Sequence, residues 1–274
     1  MSERTNIPVS PNASRDPALS VSGVSVEFPL DRGTITALQD ISFTLDRGEF
    51  CAIVGPSGCG KSTLLRLISG LVAPTSGEAT IHARNPDQPD QAMVFQGRSV
   101  FPWMTVLRNA AYGLEMRDVA QPEREAIAER LLRQVGLGDF LMAYPSQLSE
   151  GMRQRVAIAR AFAMDPEVLL MDEPFGALDE QTRLVLQDEL LKIWEQTGKT
   201  VVFVTHGIDE AMILADRILV LSARPGTIKA DLSVPFARPR SVETVRSDPA
   251  FNDMFLQIWH LLRDDAQTMA GAAQ

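Results

Sequence analysis

Five apolar residues in a row, Phe50-Cys51-Ala52-Ile53-Val54, run directly into a glycine-rich stretch, and three more apolar runs follow along the chain. These are Ala92-Met93-Val94-Phe95, Val168-Leu169-Leu170-Met171 and Val201-Val202-Phe203-Val204. Unbroken apolar runs of this length predict strands buried on both faces, as in a parallel sheet. Between them the period lengthens. Leu64, Leu67, Ile68 and Leu71 recur at helical spacing with Gly70 as a stop,. From Pro122 to Val135, Ile127, Leu131 and Leu132 share one side while Glu123, Glu125, Arg130 and Arg133 take the other, as in an amphipathic helix,. Further helices are expected at Gln181–Trp194 and Ile208–Ala215, and further strands at Ala79–His82, Thr200–Thr205 and Arg217–Leu221, with a turn at Ser76-Gly77. Residues 20 to 50 differ. There Val24, Val26 and Phe28 alternate with Ser25 and Glu27, and Asp31-Arg32-Gly33 supplies a turn, so antiparallel strands are expected,. Alternating strands and helices elsewhere predict an α/β fold with a mostly parallel sheet, joined by an antiparallel β subdomain and a helical subdomain over about residues 97–150.

Composition narrows the classes of function. At 274 residues the chain can bury a full core, and no stretch of eighteen apolar residues is free of charge,. A formal net charge of -9 argues against a general nucleic-acid or anionic-membrane surface, leaving local basic sites such as Lys61 and Arg153 to Arg160,. The two cysteines, Cys51 and Cys59, lie in a strand and in the glycine-rich stretch, so a reducing compartment without a disulfide framework is expected,. Residues 1–19 are polar and dotted with Pro and Ser, and they read as a loose tail without a secretion signal,. Residues 266–274 read as a second tail.

Two constellations carry chemistry. Gly55-Pro56-Ser57-Gly58-Cys59-Gly60-Lys61-Ser62 fits G-x-x-x-x-G-K-S/T, with a strand before it and a helix after it as the motif requires,. Its glycines let backbone N–H groups curl around phosphate oxygens, the helix adds its positive end, Lys61 adds a charge, and Ser62 can ligate Mg²⁺. The second spans Leu148 to Asp179. Ser149 opens a basic helix there, either as a plain cap or as a phosphate ligand. Asp172 and Glu173 follow an apolar strand, where open α/β sheets place their ligands, so one acid can hold a metal while its neighbour faces a water,.

With both in place, the chain resembles the ATP-binding subunit of an ABC transporter over about residues 20 to 265, built on a P-loop NTPase (RecA-like) core. Gly55 to Ser62 looks like the Walker A motif, with Thr63 next to it in the nucleotide-binding set. Val168 to Asp172 looks like the Walker B strand and Leu148 to Met152 like the ABC signature. Gln96 is placed like the Q-loop glutamine, Ala177-Leu178-Asp179 like the D-loop, and His206 like the switch histidine. Phe28 stands where the family keeps an aromatic against adenine, and its alternation also suits a half-buried strand.

The resemblance implies ATP hydrolysis with Mg²⁺ held by Ser62, Asp172 and Gln96. Lys61 would neutralise phosphate charge, Glu173 would act as general base, and Gln96 and His206 would sense the γ-phosphate and the attacking water. In this family Ser149 and Gly151 of one subunit close on ATP held by another. Two ATP-binding subunits are therefore implied, as a homodimer or with a related chain. The sequence departs from the family at Glu150, usually glycine, and Met152, usually glutamine. Two unit charges about 6 Å apart at an effective dielectric near 20 repel by roughly 3 kcal/mol, so Glu150 is expected to point away from phosphate and hydrolysis to be slow but real.

Phe101-Pro102-Trp103-Met104-Thr105-Val106 resembles the segment that receives the coupling helix of a membrane subunit, especially in nitrate, sulfonate and taurine importers. The same residues could instead pack the helical lobe. Ser222-Ala223-Arg224-Pro225-Gly226 and Arg238-Pro239-Arg240 are similar to the C-terminal part of that group, and Phe251, Met254, Phe255, Ile258 and Leu262 predict an amphipathic final helix,. The implied protein is an ATPase subunit peripheral to the cytoplasmic face of the inner membrane. It would be attached to polytopic permease subunits and served indirectly by a solute-binding protein. A soluble ABC ATPase acting on nucleic acid or ribosomes is the alternative, disfavoured by the acidic balance and the single cassette.

Overall fold

The structure, a computed structural model, describes residues 16–31, 33–95, 97 and 100–272, with side chains described as far as residue 263. Strands β1 (Pro17–Leu30) and β2 (Gly33–Asp46) form a long antiparallel hairpin in which Phe28 faces Ile35 across the pair. β3 (Phe50–Val54) then starts the main sheet, and helix α1 (Lys61–Ile68) follows the glycine-rich stretch. Leu71, expected on the apolar face of that helix, is instead exposed. Gly70 adopts φ 75° and reverses the chain, and the N–H groups of Leu71 and Val72 turn back to Arg66 O, which ends the helix at Ile68,.

β4 (Ser76–Ile81) pairs with β1, giving a three-stranded antiparallel sheet in the order β2-β1-β4. Ser76 and Gly77, expected as a turn, are the first residues of this strand, because Gly77 lies so near the Gly23 carbonyl that only glycine fits,. The N-terminal tail ends sooner than residue 19, since β1 already pairs from Pro17.

β5 (Gln91–Val94), β6 (Val168–Asp172), β7 (Thr200–Thr205), β8 (Arg217–Leu221) and β9 (Ile228–Ser233) join β3 in a six-stranded sheet ordered β5-β6-β7-β3-β8-β9. All neighbours are parallel except β8 and β9. β9 is an edge strand whose mixed sequence, Ile-Lys-Ala-Asp-Leu-Ser, carries little apolar signal. Successive residues of β3 serve opposite layers. Phe50, Ala52 and Val54 face one core with the helices, while Cys51 and Ile53 face another with α1 and the antiparallel sheet,.

The helical subdomain consists of α2 (Val106–Glu115), α3 (Gln121–Gln134) and α4 (Glu150–Ala163), which pack on one another. α3 buries Ala128, Leu131 and Leu132, with Ile127 half-buried. α5 (Glu180–Thr197), α6 (Ile208–Leu214) and α7 (Val242–Arg246) return to the main core. α8 (Ala250–Ala272) buries Met254 and Ile258 and continues as helix to Ala272, into the segment expected to be a second tail. No helix among the described residues is long and apolar enough to cross a membrane.

Candidate functional site

The strand order decides what meets at the carboxyl edge of the sheet. β6, β7 and β3 are consecutive neighbours, so the last residue of β6, Asp172, and the residues that follow the three strands, Glu173, His206 and the phosphate loop, stand side by side,. The loop itself depends on Gly60 at φ 107°, a conformation L side chains rarely adopt,. A β-carbon there would also fall 2.7 Å from Leu38 Cδ2 and 2.9 Å from Ala37 O. Lys61 is almost fully buried, and its Nζ donates back across the loop to Gly55 O at 2.8 Å and Pro56 O at 3.1 Å. Ser62 Oγ donates to Asp172 Oδ1 at 2.9 Å, tying the first turn of α1 to the end of β6.

Burial pushes the Asp172 carboxyl above the usual range, a rise opposed by the Ser62 hydroxyl and increased by the adjoining Glu173,. Glu173 leaves the strand at φ 43°, a left-handed conformation uncommon outside glycine, while its N–H still donates to Val204 O at 2.9 Å,. That turn carries its carboxylate sideways, and Oε2 stands 3.4 Å from His206 Nδ1. The His206 side chain remains largely open to solvent. The residue before it is locked. Thr205 Oγ1 donates to Glu210 Oε2 at 2.5 Å and accepts from Gly207 N at 2.9 Å.

A cleft of about 280 Å³ lies over this edge. One end is apolar, formed by Phe28, Ile35 and Ala37. The other is formed by Ser57, Gly58 and Gly60 to Thr63, with Glu173 and Arg224 at its sides. Phe28 lies in β1, is 39% exposed rather than half-buried, and lines this cleft. Gly55, Pro56 and Cys59 do not line the cleft but support it. Gly55 and Pro56 give Lys61 its carbonyls, and buried Cys59 puts its Sγ 2.6 Å from where a Gly55 β-carbon would lie. Gln96, expected as a phosphate sensor and Mg²⁺ ligand, lies outside the described residues.

Ser149, Gly151 and Asp179 are not brought to the cleft of their own chain. Ser149 caps α4, accepting from Met152 N at 3.3 Å, and Asp179 caps α5, accepting from Thr182 N at 3.0 Å and Thr182 Oγ1 at 2.7 Å,. These Thr182 donors hold the Asp179 carboxyl below its ordinary value,. Glu150 turns along its own helix to Arg153, 2.7 Å away, and Arg153 also donates to Pro145 O and Leu148 O.

Residues 101 and 103 differ in burial. Phe101 packs edge-on to Tyr112, under the Arg160 guanidinium 5.1 Å from its ring centroid, whereas Trp103 is 69% exposed. Asn109, a residue that sequence reasoning missed, is fully buried and exchanges hydrogen bonds with both backbone groups of Phe101. Arg224 was also missed as a site residue, although its segment stood out in the sequence as a family likeness.

The family model described as ABC transporter matches residues 38–176. The nitrate import ATP-binding protein of Synechocystis sp. is 44% identical over 254 residues, covering 89% of this chain and 95% of that one. The taurine import ATP-binding protein of Roseobacter denitrificans is 40% identical over 262 residues, covering 93% and 98%. Among solved structures, a dimeric ATP-binding cassette in a post-hydrolysis state bound to ADP and Pi superposes with a TM-score of 0.70 at 33% identity, covering 80% of this chain and all of that one. A matched domain over half the chain, near full-length relatives and the cleft geometry agree, and the chain belongs to the family of ABC transporter ATP-binding subunits.

Proposed function

We propose that this chain is the subunit that hydrolyses ATP to energise import of a small solute of the nitrate, sulfonate or taurine kind. The observation that carries the reading is the side-by-side placement of Lys61, the Ser62–Asp172 pair and the Glu173–His206 pair at one carboxyl edge. The solute class rests on relatives named for nitrate and taurine import.

ATP would lie with its base at the Phe28 end and its phosphates on the loop from Ser57 to Thr63. Ser62 Oγ and Asp172 Oδ1 are two hard oxygen donors within 2.9 Å of each other, a set that fits Mg²⁺ shared with substrate phosphates,. When bound, the ion would neutralise charge on the β- and γ-phosphates. Glu173 would accept the proton of the attacking water, with His206 orienting that carboxylate from Nδ1,. Ser149 and Gly151, turned away from their own cleft, would close on the ATP of a second subunit, so that a homodimer forms two sites. Asp179, capping α5 beside this contact, would lie along the same seam.

The domain would begin with β1 at Pro17 and extend into α8, with the helical subdomain presenting Phe101, Pro102 and Trp103 to a polytopic permease at the cytoplasmic face of the inner membrane. A solute-binding protein would deliver cargo from the other side. The test is reconstitution of the chain with its co-encoded membrane subunit and solute-binding protein in liposomes. ATP hydrolysis stimulated by the binding protein loaded with a nitrate-, sulfonate- or taurine-like solute is the expected result. Stimulation only by a lipid or drug moving outward would overturn the importer reading.

A further inference from the structure

The segment from Ser222 to Thr227 follows β8, the neighbour of β3 on the side away from His206, and it is clamped onto the phosphate loop. Gly226 N donates to Ala37 O at 3.0 Å, and its carbonyl accepts from Gln39 N at 2.9 Å. A β-carbon on Gly226 would fall 2.2 Å from Cys59 O, so only glycine allows this approach. Ser222 Oγ closes the segment on itself through Thr227 N at 2.8 Å. The effect is to hold Arg224 against the loop. Its Nε and Nη2 both donate to Gly58 O, at 3.3 and 3.1 Å, and the side chain forms part of the nucleotide cleft.

A guanidinium carries five N–H donors, and the bonds to Gly58 O use two of them,. Among the described residues Arg224 forms no ion pair with a carboxylate, and its side-chain bonds go to the Gly58 carbonyl. An anchored cation with spare donors at the rim of a phosphate-binding loop is suited to bidentate recognition of phosphate oxygens. We propose that Arg224 is a nucleotide-binding residue, a second cation beside Lys61 that contacts the polyphosphate of the bound nucleoside triphosphate. This rests on the ATPase reading and adds to Lys61 a second cationic contact with the phosphates, from a segment outside both the phosphate-loop motif and the signature.

The test compares the full-length wild type with Arg224→Ala, Arg224→Gln and Arg224→Lys by calorimetric titration with MgATP and with adenosine, alongside thermal melting. Glutamine keeps a neutral donor for Gly58 O without the charge, so it separates bracing of the loop from contact with phosphate. The expected result is a rise of about tenfold in Kd for MgATP in the Ala and Gln variants, partial recovery with Lys, and adenosine binding unchanged in all of them. A Gln variant with wild-type melting and wild-type MgATP affinity would overturn the proposal and leave Arg224 as a brace. Weakened adenosine binding in step with MgATP would overturn it too, because the effect would then come from a distorted cleft. If the wild type itself failed to bind MgATP, the ATPase reading would be the one that fell.

Discussion

Gly151 faces Thr182 so closely that a β-carbon on Gly151 would stand 2.6 Å from the Thr182 γ-methyl. The two residues belong to the first turns of α4 and α5, and Thr182 in turn donates its hydroxyl to Asp179. The signature and the cap of the helix after Glu173 are thus one packed unit within a single chain. Gly151→Ala should gain about 1 kcal/mol of helix propensity and lose about 1–3 kcal/mol to overpacking, lowering the melting temperature. Thr182→Ser removes only the offending methyl and keeps the hydroxyl for Asp179. The double variant should therefore melt close to the wild type. A Gly151→Ala variant that melts above the wild type would show that the contact relaxes without cost and leaves only the helix-propensity gain.

The Glu173–His206 contact leads to a second expectation. Glu173→Gln should lower steady-state phosphate release by at least about 100-fold while MgATP binding stays within a few-fold. His206→Ala should also slow release, and the double variant should be no slower than Glu173→Gln alone, because groups acting as one unit are not additive. Additive losses measured in the same assay would separate the two roles.

Glu150 is expected to point away from phosphate, and its carboxylate turns along its own helix to Arg153. The pair leaves little net charge at the signature turn. Glu150→Gly should consequently change kcat for ATP by less than about fivefold at moderate salt, since an exposed ion pair contributes only about 0–1 kcal/mol. A tenfold or larger gain in hydrolysis would mean that the acid does act on phosphate.

Glu210 supplies a dependence on pH. Burial raises its carboxyl above the ordinary 4.5, against the opposing Thr205 hydroxyl and Arg183 charge,. The folded chain therefore keeps this proton at pH values where the unfolded chain has lost it. The stabilisation from the protonated form is present below about pH 4.5 and is lost as pH rises through the folded value. Glu210→Gln cannot titrate. The melting temperature of wild type minus that of Glu210→Gln should fall between about pH 4.5 and neutrality, and a difference that does not change with pH would count against a buried, titrating Glu210.

The phosphate loop, the Asp172-Glu173 pair and His206 were legible in the chain because each depends on neighbours in sequence. A continuous apolar run defines a buried strand, and a polar or glycine residue directly after it must lie at that strand's end. The same local logic placed α3 and the hairpin of β1 and β2. It failed at Leu71, where the periodic pattern ran on past a glycine that reverses the chain, and at β9, whose edge position needs few apolar residues. The order β5-β6-β7-β3-β8-β9 depends on pairings between segments far apart in sequence, which no local period encodes. That order puts the ends of β6 and β7 side by side, where Glu173 comes within 3.4 Å of His206, and sets the segment after β8 beside the phosphate loop, where Arg224 reaches Gly58. Sequence by itself determined which chemical groups the protein has and that they end strands. Tertiary structure decided which of them share a site, because hydrogen bonding between distant strands sets their order and burial between layers keeps it.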